Sequence, residues 1–346
     1  MKDPDIISNH PVVSRLEMLV RSNASNPMVI RDLPFSAVPF IIEDFYVRKY
    51  GNKIGQYPAR LYHYTSYESA LGLLLGDVSG TTISPEGHNR SGALWMRSAT
   101  WLNDRNELKS GVRETQKFLK TKCNDFSQHF KHNILAKSSS IFSLSGSKDS
   151  IFMWEAYGRK GAGCMLVVNT RLLMEIDPSA AILARVTYNA AVFRELLDYV
   201  FLVYTRLCGT AGWEQYQEKL IEIVFPALSA FLKDRDFEHE MEFRLYCKES
   251  SNQVQYGRPP AFSFYAFDIA NHIANGNHAM KVVKRKEYFG GNHLIQNEFE
   301  NPSVSWLEQI VCGPNMPTSA QETLSVAVCH SPLSPIVSRS KSRLRL

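Results

Sequence analysis

The 346-residue chain is 44% hydrophobic and 21% charged, a balance that is typical of a globular protein and excludes wholesale disorder. Its formal net charge is +5, and basic residues near the end of the chain supply most of it, so the charge is weak evidence for nucleic-acid binding. The six cysteines form no C-x-x-C pair, and we expect no metal site.

The hydrophobic pattern divides the chain into an N-terminal arm at 1–56, a body at 57–315 and a basic C-terminal tail at 316–346. A helical insertion is predicted at 190–232 within the body. In the arm, the pattern predicts a helix at 12–20 and an apolar segment at 35–50. The strands predicted after it are 61–65, 94–98, 140–144, 163–168, 182–188, 237–247, 262–267, 280–283 and 310–312. The helices predicted after it are 67–75, 107–121 and 151–157, those within the insertion and one near 268–275. Short strands in a mixed order with helices predict an α+β fold and argue against a doubly wound parallel sheet.

The segment 237–247 carries the most informative polar residues. As a strand, it places Glu240, Glu242 and Arg244 on one face and Met241 and Phe243 on the other. Two carboxylates so close together raise each other's pKa, and the guanidinium lowers both pKa values again. Such a pair suits the stabilisation of a developing cation or the positioning of a nucleophile. A solvated strand face with an ion pair explains the same pattern.

The first strand of the body brings a histidine and two tyrosines together. Tyr62, His63 and Tyr64 are followed by the hydroxyls of Thr65 and Ser66. These groups can hydrogen-bond a sugar and offer a ring to stack on a base. A histidine whose hydrogen bonds are satisfied in the core is the alternative.

Two further segments are candidates for ligand binding. Trp154 and Tyr157 share a face of their predicted helix, which leads into a glycine-rich turn at 161–163. They form either a ligand platform or an anchor in the core. Upstream, Asp104 and Glu107 fit a helix capping box, which needs no ligand.

Several common catalytic motifs are missing from the sequence. It has no G-x-G-x-x-G after a strand, no Walker loop and no G-x-S-x-G elbow. Their absence argues against Rossmann oxidoreductases, P-loop NTPases and α/β-hydrolases.

In their order and residue types, these segments resemble those of a large bacterial family known as domain of unknown function 2971. Its members typically carry a Y-x-Y-T/S strand, an F-N-D-x-x-E-like loop, F-S followed by M-W-x-x-Y and a glycine turn, and finally E-x-E-W-R. The corresponding segments here are 61–66, 101–107, 141–157 and 240–244, with Phe243 in place of the usual tryptophan. The resemblance covers roughly 61–314.

That family is similar to the ADP-ribosyltransferase superfamily, whose split β fold holds NAD between two small sheets. The resemblance implies an ADP-ribosyltransferase-like split β-sheet core with a helical insertion. It makes His63 the residue that hydrogen-bonds the NAD ribose and Glu242 the residue that holds the 2′-hydroxyl of the nicotinamide ribose. Trp154 or Tyr157 would shape the nicotinamide pocket, and Tyr64 is an alternative ring.

The remaining roles follow from the same resemblance. Glu240 would orient the incoming acceptor, and Thr65 would assist in NAD binding. Arg244 would keep both acids ionised or contact the pyrophosphate.

We therefore expect an NAD-dependent ADP-ribosyltransferase that acts on a macromolecular target, as a toxin, effector or anti-phage protein would. NAD hydrolysis, with water as the acceptor, is indistinguishable from transfer at this level. A nucleic-acid or protein binding module on the same fold is the main alternative, with the tail cations on phosphates and with Trp154 and Tyr157 stacked on bases.

The expected location is the cytoplasm, with no role for a membrane. The start of the chain does not resemble a signal peptide, and no segment is long and apolar enough to span a bilayer. Export by a route that needs no cleaved signal would leave no trace in the sequence.

Overall fold

The computed structural model describes residues 27–51, 57–75, 93–98, 108–122, 139–170, 173, 181–208, 224–248, 264–268, 281–284, 307–331 and 335–342. The helices are α1 Pro27–Tyr50, α2 Tyr67–Leu75, α3 Lys109–Lys122, α4 Ile151–Ala156, α5 Ala190–Cys208, α6 Phe225–Ser229 and α7 Thr318–Cys329, with a 3₁₀ helix at Arg235–Glu240. The predicted helices at 12–20 and near 268–275 and the loop at 101–107 lie outside the described residues. None of the helices in the described ranges is long and apolar enough to cross a membrane.

Ten strands of the described residues form one sheet. They are β1 Arg60–Thr65, β2 Ala93–Ser98, β3 Ser139–Ser145, β4 Cys164–Asn169, β5 Ala181–Arg185, β6 Glu242–Lys248, β7 Phe264–Asp268, β8 Lys281–Lys284, β9 Leu307–Cys312 and β10 Ile336–Arg339. The order is β10-β9-β4-β1-β3-β2-β7-β8, and β6 pairs with both β3 and β5. Neighbouring strands are antiparallel except β9 and β10, which are parallel. The fold is α+β, as predicted.

The sheet divides at β3. Strand β6 pairs along one edge of β3, whereas β1 and β2 share the other edge. Tyr62 of β1 is paired with Ser145 at one end of β3, and Arg97 of β2 is paired with Ile141 near the other end. From this division, β1 leads to β4, β9 and β10, and β2 leads to β7 and β8.

Helices cover both faces of the sheet. One face carries the largest apolar cluster, to which α1, α3, α5 and α6 contribute. The spacing of Leu196, Val200 and Val203 predicts the face of α5 that packs there, and all three are buried. The other face packs against α2 and α7. Helix α2 begins as predicted, because Ser66 Oγ accepts a hydrogen bond from Ser69 N at 3.1 Å.

The predicted arm and tail both contribute to the fold. In the arm, α1 places Ile41, Ile42 and Phe45 in the larger cluster. In the predicted tail, α7 contributes Leu324 to the opposite cluster, and β10 pairs with β9 as the last strand of the sheet. The described parts of both segments, α1 in the arm and α7 and β10 in the tail, therefore belong to the packed body of the protein.

Candidate functional site

A buried cluster of charges lies where β6 begins. Arg244 donates from Nε to Glu242 Oε1 at 2.9 Å and from Nη2 to Glu242 Oε2 at 3.1 Å. Lys233 Nζ donates to the same Oε2 at 3.2 Å and to Glu240 Oε2 at 2.7 Å. All four residues are buried. Two cations and two carboxylates therefore balance each other in the interior, where an unpaired charge would be costly.

Glu240 belongs to this cluster but, contrary to the sequence prediction, it does not lie on the same strand as Glu242. It is the last residue of the 3₁₀ helix, and β6 begins only at Glu242. Between them, Met241 adopts a left-handed conformation with φ 45° and is 56% exposed. The predicted strand at 237–247 is therefore wrong in its first part, and Met241 is not on a buried strand face. Glu240 meets Glu242 through their shared partner Lys233.

Glu242 is held in its ionised form. Burial alone would raise the pKa of Glu242, but the charges of Arg244 and Lys233, with hydrogen bonds from Arg244 and Ser143, lower that pKa to about 2. The side chain is therefore a fixed carboxylate near neutral pH.

The same cluster fixes the surrounding backbone. Arg244 Nη1 donates to the carbonyl of Ala230, just after α6, and Ser145 Oγ donates to the carbonyl of Glu240 at 2.6 Å. The backbone N–H of Glu242 donates to Tyr188 Oη at 2.8 Å. Helix α6 and the 3₁₀ helix are thereby joined to the middle of the sheet.

Tyr157 lies between the cluster and the solvent. It follows the last residue of α4, is 36% exposed, and donates its hydroxyl to Glu240 Oε1 at 2.6 Å. Phe152 of the same helix is 42% exposed, and its ring lies 5.8 Å from the His239 ring. Tyr157 is therefore the predicted aromatic residue that could meet a ligand.

Trp154 lies in the core. Of its two predicted roles, a ligand platform and a core anchor, its position fits the core anchor. Its side chain is fully buried, and its Nε1 donates to Asp149 Oδ1 at 2.8 Å. The ring of Tyr64 meets the indole edge-on at 5.0 Å between ring centroids. The Tyr64 hydroxyl donates to Ser147 O at 3.0 Å, and burial raises the pKa of Tyr64 to about 12.

The structure does not bring His63 to Glu242. Paired residues of antiparallel strands point to the same face, and Tyr62, Ser145 and Glu242 are paired in one row across β1, β3 and β6. His63 therefore points to the opposite face, where its ring lies 4.5 Å from that of Phe142 and its Nδ1 lies 2.9 Å from Ser143 O.

Strand alternation separates the other predicted residues of β1 in the same way. Thr65 shares the face of His63, and Tyr64 shares the face of Tyr62 and Glu242. Arg244 is fully buried and bound to Glu242. Of its two predicted roles, this position fits the ionisation of the acid and does not offer the guanidinium to a pyrophosphate.

Lys233 and Tyr188 also contribute to the cluster, and neither was predicted from the sequence. Lys233 ends the apolar stretch at 230–232, and its ammonium lies 4.6 Å from the centre of the Phe237 ring. A lysine directly after a buried apolar run and just before an acidic segment was the available signal. No local pattern marks Tyr188, whose role depends on its packing against β6.

Comparison with known proteins gives one match. Residues 153–245 match the model of a family described as protein of unknown function (DUF2971). The chain resembles this family, as the sequence motifs indicated. The match begins within α4 and includes Lys233 and the Glu240 segment. It also runs through α5 and α6 of the predicted helical insertion, and it does not extend to β1.

The other comparisons add no relative. No curated protein and no solved structure matches the chain. Within the described ranges, no group of three or more His, Cys, Asp or Glu residues is arranged to hold a metal ion.

Proposed function

We propose that the protein is an NAD-dependent ADP-ribosyltransferase that modifies a macromolecular target and that its reaction takes place beside Glu242. The observation that carries this proposal is the pairing of Glu242 with two buried cations, which hold it ionised. Cleavage of the bond between nicotinamide and ribose leaves positive charge on the ribose. A carboxylate fixed nearby in a site with little water stabilises that charge.

The surroundings of Glu242 support a nucleotide substrate. Tyr62 and Tyr64 of β1 lie on the face of the sheet that carries Glu242, and they replace His63 in this proposal. Tyr157 covers the approach to the acids and is the partly exposed member of the group. Its movement would open a path for NAD between α4 and the 3₁₀ helix.

The reaction proceeds by substitution at C1′ of the nicotinamide ribose. The bond from C1′ to the pyridinium nitrogen breaks, and its electron pair leaves with nicotinamide. As that bond breaks, a nucleophilic atom of the acceptor bonds to C1′ and gives its proton to Glu240. If water is the acceptor, the same steps give NAD hydrolysis.

Release of nicotinamide from NAD by the purified protein tests the proposal. We expect release in the wild type that rises when a bacterial lysate supplies acceptors, and an increase in melting temperature when NAD is added. Glu240→Gln should lower the release by at least about 100-fold, because a glutamine cannot accept the proton. Release that is independent of lysate would point to a hydrolase.

A matched control comes from α3. Glu114 is also a buried glutamate, but its ion-pair partners Lys117 and Arg194 lie outside the cluster, so Glu114→Gln should keep the wild-type rate. If Glu240→Gln releases nicotinamide as fast as the control variant, the proposed role of the acids is wrong.

A binding module without catalysis is the second candidate. It is favoured because the charged groups of the cluster already bind one another. Both carboxylate oxygens of Glu242 are occupied by Arg244 and Lys233, as expected of an anchor for α6 and the 3₁₀ helix. Because Trp154 is buried, stacking on a base would fall to Tyr157. Absence of nicotinamide release and of an NAD-induced melting shift, with salt-dependent binding to RNA or DNA, would favour this function.

A further inference from the structure

Two cysteines face each other in neighbouring strands, on the face of the sheet opposite to that of Glu242. Cys164 begins β4, Cys312 ends β9, and the two are direct partners in the antiparallel pairing. Both are buried, and both are free thiols in this structure. They lie on the face of the sheet that packs against α2 and α7.

The backbone hydrogen bonds identify the type of this pair. Gly313 N donates to Gly163 O at 2.9 Å, so the bond joins the residues that flank Cys164 and Cys312. This arrangement defines a non-hydrogen-bonded pair, in which the Cα atoms of opposite residues lie about 4.5 Å apart and their side chains are closest. A disulfide needs a Cα separation of about 4.4 to 6.8 Å, and the separation typical of such a pair lies within that range.

The paired thiols also affect each other's ionisation. Their interaction lowers the pKa of Cys312 and raises that of Cys164. Burial opposes the effect on Cys312, whereas the nearby cation of Arg339 assists it. Cys312 therefore has the greater thiolate character, and the thiolate is the reactive form of cysteine.

The neighbouring backbone is tightly packed. A Cβ added to Gly313 would lie 2.1 Å from Gly161 O, and one added to Gly163 would lie 2.3 Å from Thr65 O. Asn315 N also donates to Gly161 O at 2.9 Å. These contacts hold the turn after α4 against the end of β9, so the two thiols stay in register.

We propose that Cys164 and Cys312 form a reversible dithiol–disulfide pair that is oxidised by a hydroperoxide and reduced by a small thiol. The Cys312 thiolate attacks the hydroperoxide, the O–O bond breaks, and a sulfenic acid and an alkoxide result, or hydroxide when the oxidant is hydrogen peroxide. The sulfur of Cys164 then attacks that of Cys312, the S–O bond breaks, and the oxygen leaves as water with the thiol proton. A small thiol in excess restores both cysteines by exchange.

The route to the buried pair runs through β10. This four-residue strand is the last in its sheet and pairs Arg339 with Cys312. Its Ile336 is 69% exposed. Separation of β10 from β9 would give the oxidant access to Cys312 at the end of β9. The disulfide would then join β4 to β9 next to the turn that follows Tyr157.

The experiment is peptide mapping of the reduced, folded, full-length protein after exposure to hydrogen peroxide. We expect a linked peptide that contains Cys164 and Cys312, and we expect it to disappear when dithiothreitol is added. The oxidised protein should also run faster than the reduced one on a non-reducing denaturing gel, because the bond closes a loop of about 150 residues.

The exposed Cys329 supplies the control. Cys329→Ser should leave the linked peptide and the gel shift unchanged, and Cys312→Ala should abolish both. The wild-type map is decisive even if Cys312→Ala folds poorly. The proposal is overturned if Cys329 is oxidised without formation of the linked peptide, or if Cys164 and Cys312 become linked only after unfolding in urea or only to other cysteines.

Discussion

The ammonium of Lys233 lies 2.7 Å from Oε2 of Glu240, and each of these side chains is only 6% exposed. The same ammonium lies 3.2 Å from Glu242 Oε2. One lysine therefore joins an acid that ends a 3₁₀ helix to an acid that begins a strand. Because the ion pairs are buried, loss of one partner should cost more stability than loss of a surface ion pair would.

Replacement of Lys233 by methionine tests this relationship. Lys233→Met preserves much of the side-chain volume but leaves Glu240 without its buried cation and Glu242 with Arg244 alone. We expect the free energy of unfolding to fall by about 3 to 5 kcal/mol, as measured by urea denaturation.

The matched control is Lys117→Met. Lys117 also pairs with a buried glutamate, Glu114, at 2.8 Å, but its own side chain is 62% exposed, so its loss should cost at most about 1 kcal/mol. In the double variant Lys233→Met, Glu240→Gln, part of the lost stability should return, since the uncompensated carboxylate is gone. Equal losses for Lys233→Met and Lys117→Met would show that burial adds nothing to this pair.

Glu242→Gln should destabilise the protein even though it is nearly isosteric. A neutral amide cannot balance Arg244, whose side chain is fully buried and pairs with Glu242 at 2.9 Å. We expect a loss of about 3 kcal/mol or more in urea denaturation. Activity of this variant must therefore be compared at a temperature where near-ultraviolet circular dichroism shows it folded.

The control for this variant is Glu308→Gln. Glu308 pairs with Arg60, whose side chain is 58% exposed, and we expect a change within about 1 kcal/mol. A Glu242→Gln variant as stable as this control would contradict the view that the cluster is an anchor.

The low pKa of Glu242 predicts how stability depends on pH. Its pKa in the folded protein is about 2, against an ordinary value of 4.5. A lowered folded-state pKa contributes stability that is fully present above the ordinary value and is lost as the pH falls through the folded value. At 1.36 kcal/mol per pKa unit, about 3 kcal/mol should be lost between about pH 4.5 and pH 2.

Urea denaturation of the wild type at several pH values between 7 and 2 measures this loss. Glu242→Gln should show a flatter dependence over the same range, because it lacks the titrating group. If both proteins lose stability in parallel, another carboxylate accounts for the acid sensitivity.

The sequence predicted the elements of this fold better than their arrangement. Alternation and the Ser66 cap gave β1 and α2 close to their true bounds, because those signals are local. The turn at Met241 was missed, since a left-handed methionine has no sequence signature and is imposed by the surrounding structure. Glu240 and Glu242 nevertheless lie close together, because both bind Lys233, which the local sequence pattern did not include.

The error at His63 has a different origin. Alternation along β1 correctly separates His63 from Tyr62 and Tyr64, but it cannot say which of them shares a face with Glu242. That depends on the pairing of Tyr62 with Ser145 and of Ser145 with Glu242, which joins strands far apart in sequence. Long-range register of this kind is not encoded by a periodic pattern in one segment.

The glycine turn that positions Tyr157 gives the last prediction. A Cβ added to Gly158 would lie 2.4 Å from Cε3 of Trp154. Trp154 is fully buried and bound to Asp149, so it cannot easily move aside. Gly158→Ala should therefore destabilise the protein by about 1 to 3 kcal/mol, seen as a lower melting temperature.

Gly72→Ala provides the comparison, because a Cβ at Gly72 meets nothing within 4 Å. This glycine lies inside α2, where alanine should stabilise the helix by about 0.5 to 1 kcal/mol. The two alanine substitutions should thus shift the melting temperature in opposite directions. A Gly158→Ala variant that melts at or above the wild-type temperature would mean that α4 and its turn are loosely held and that Tyr157 is not fixed over Glu240.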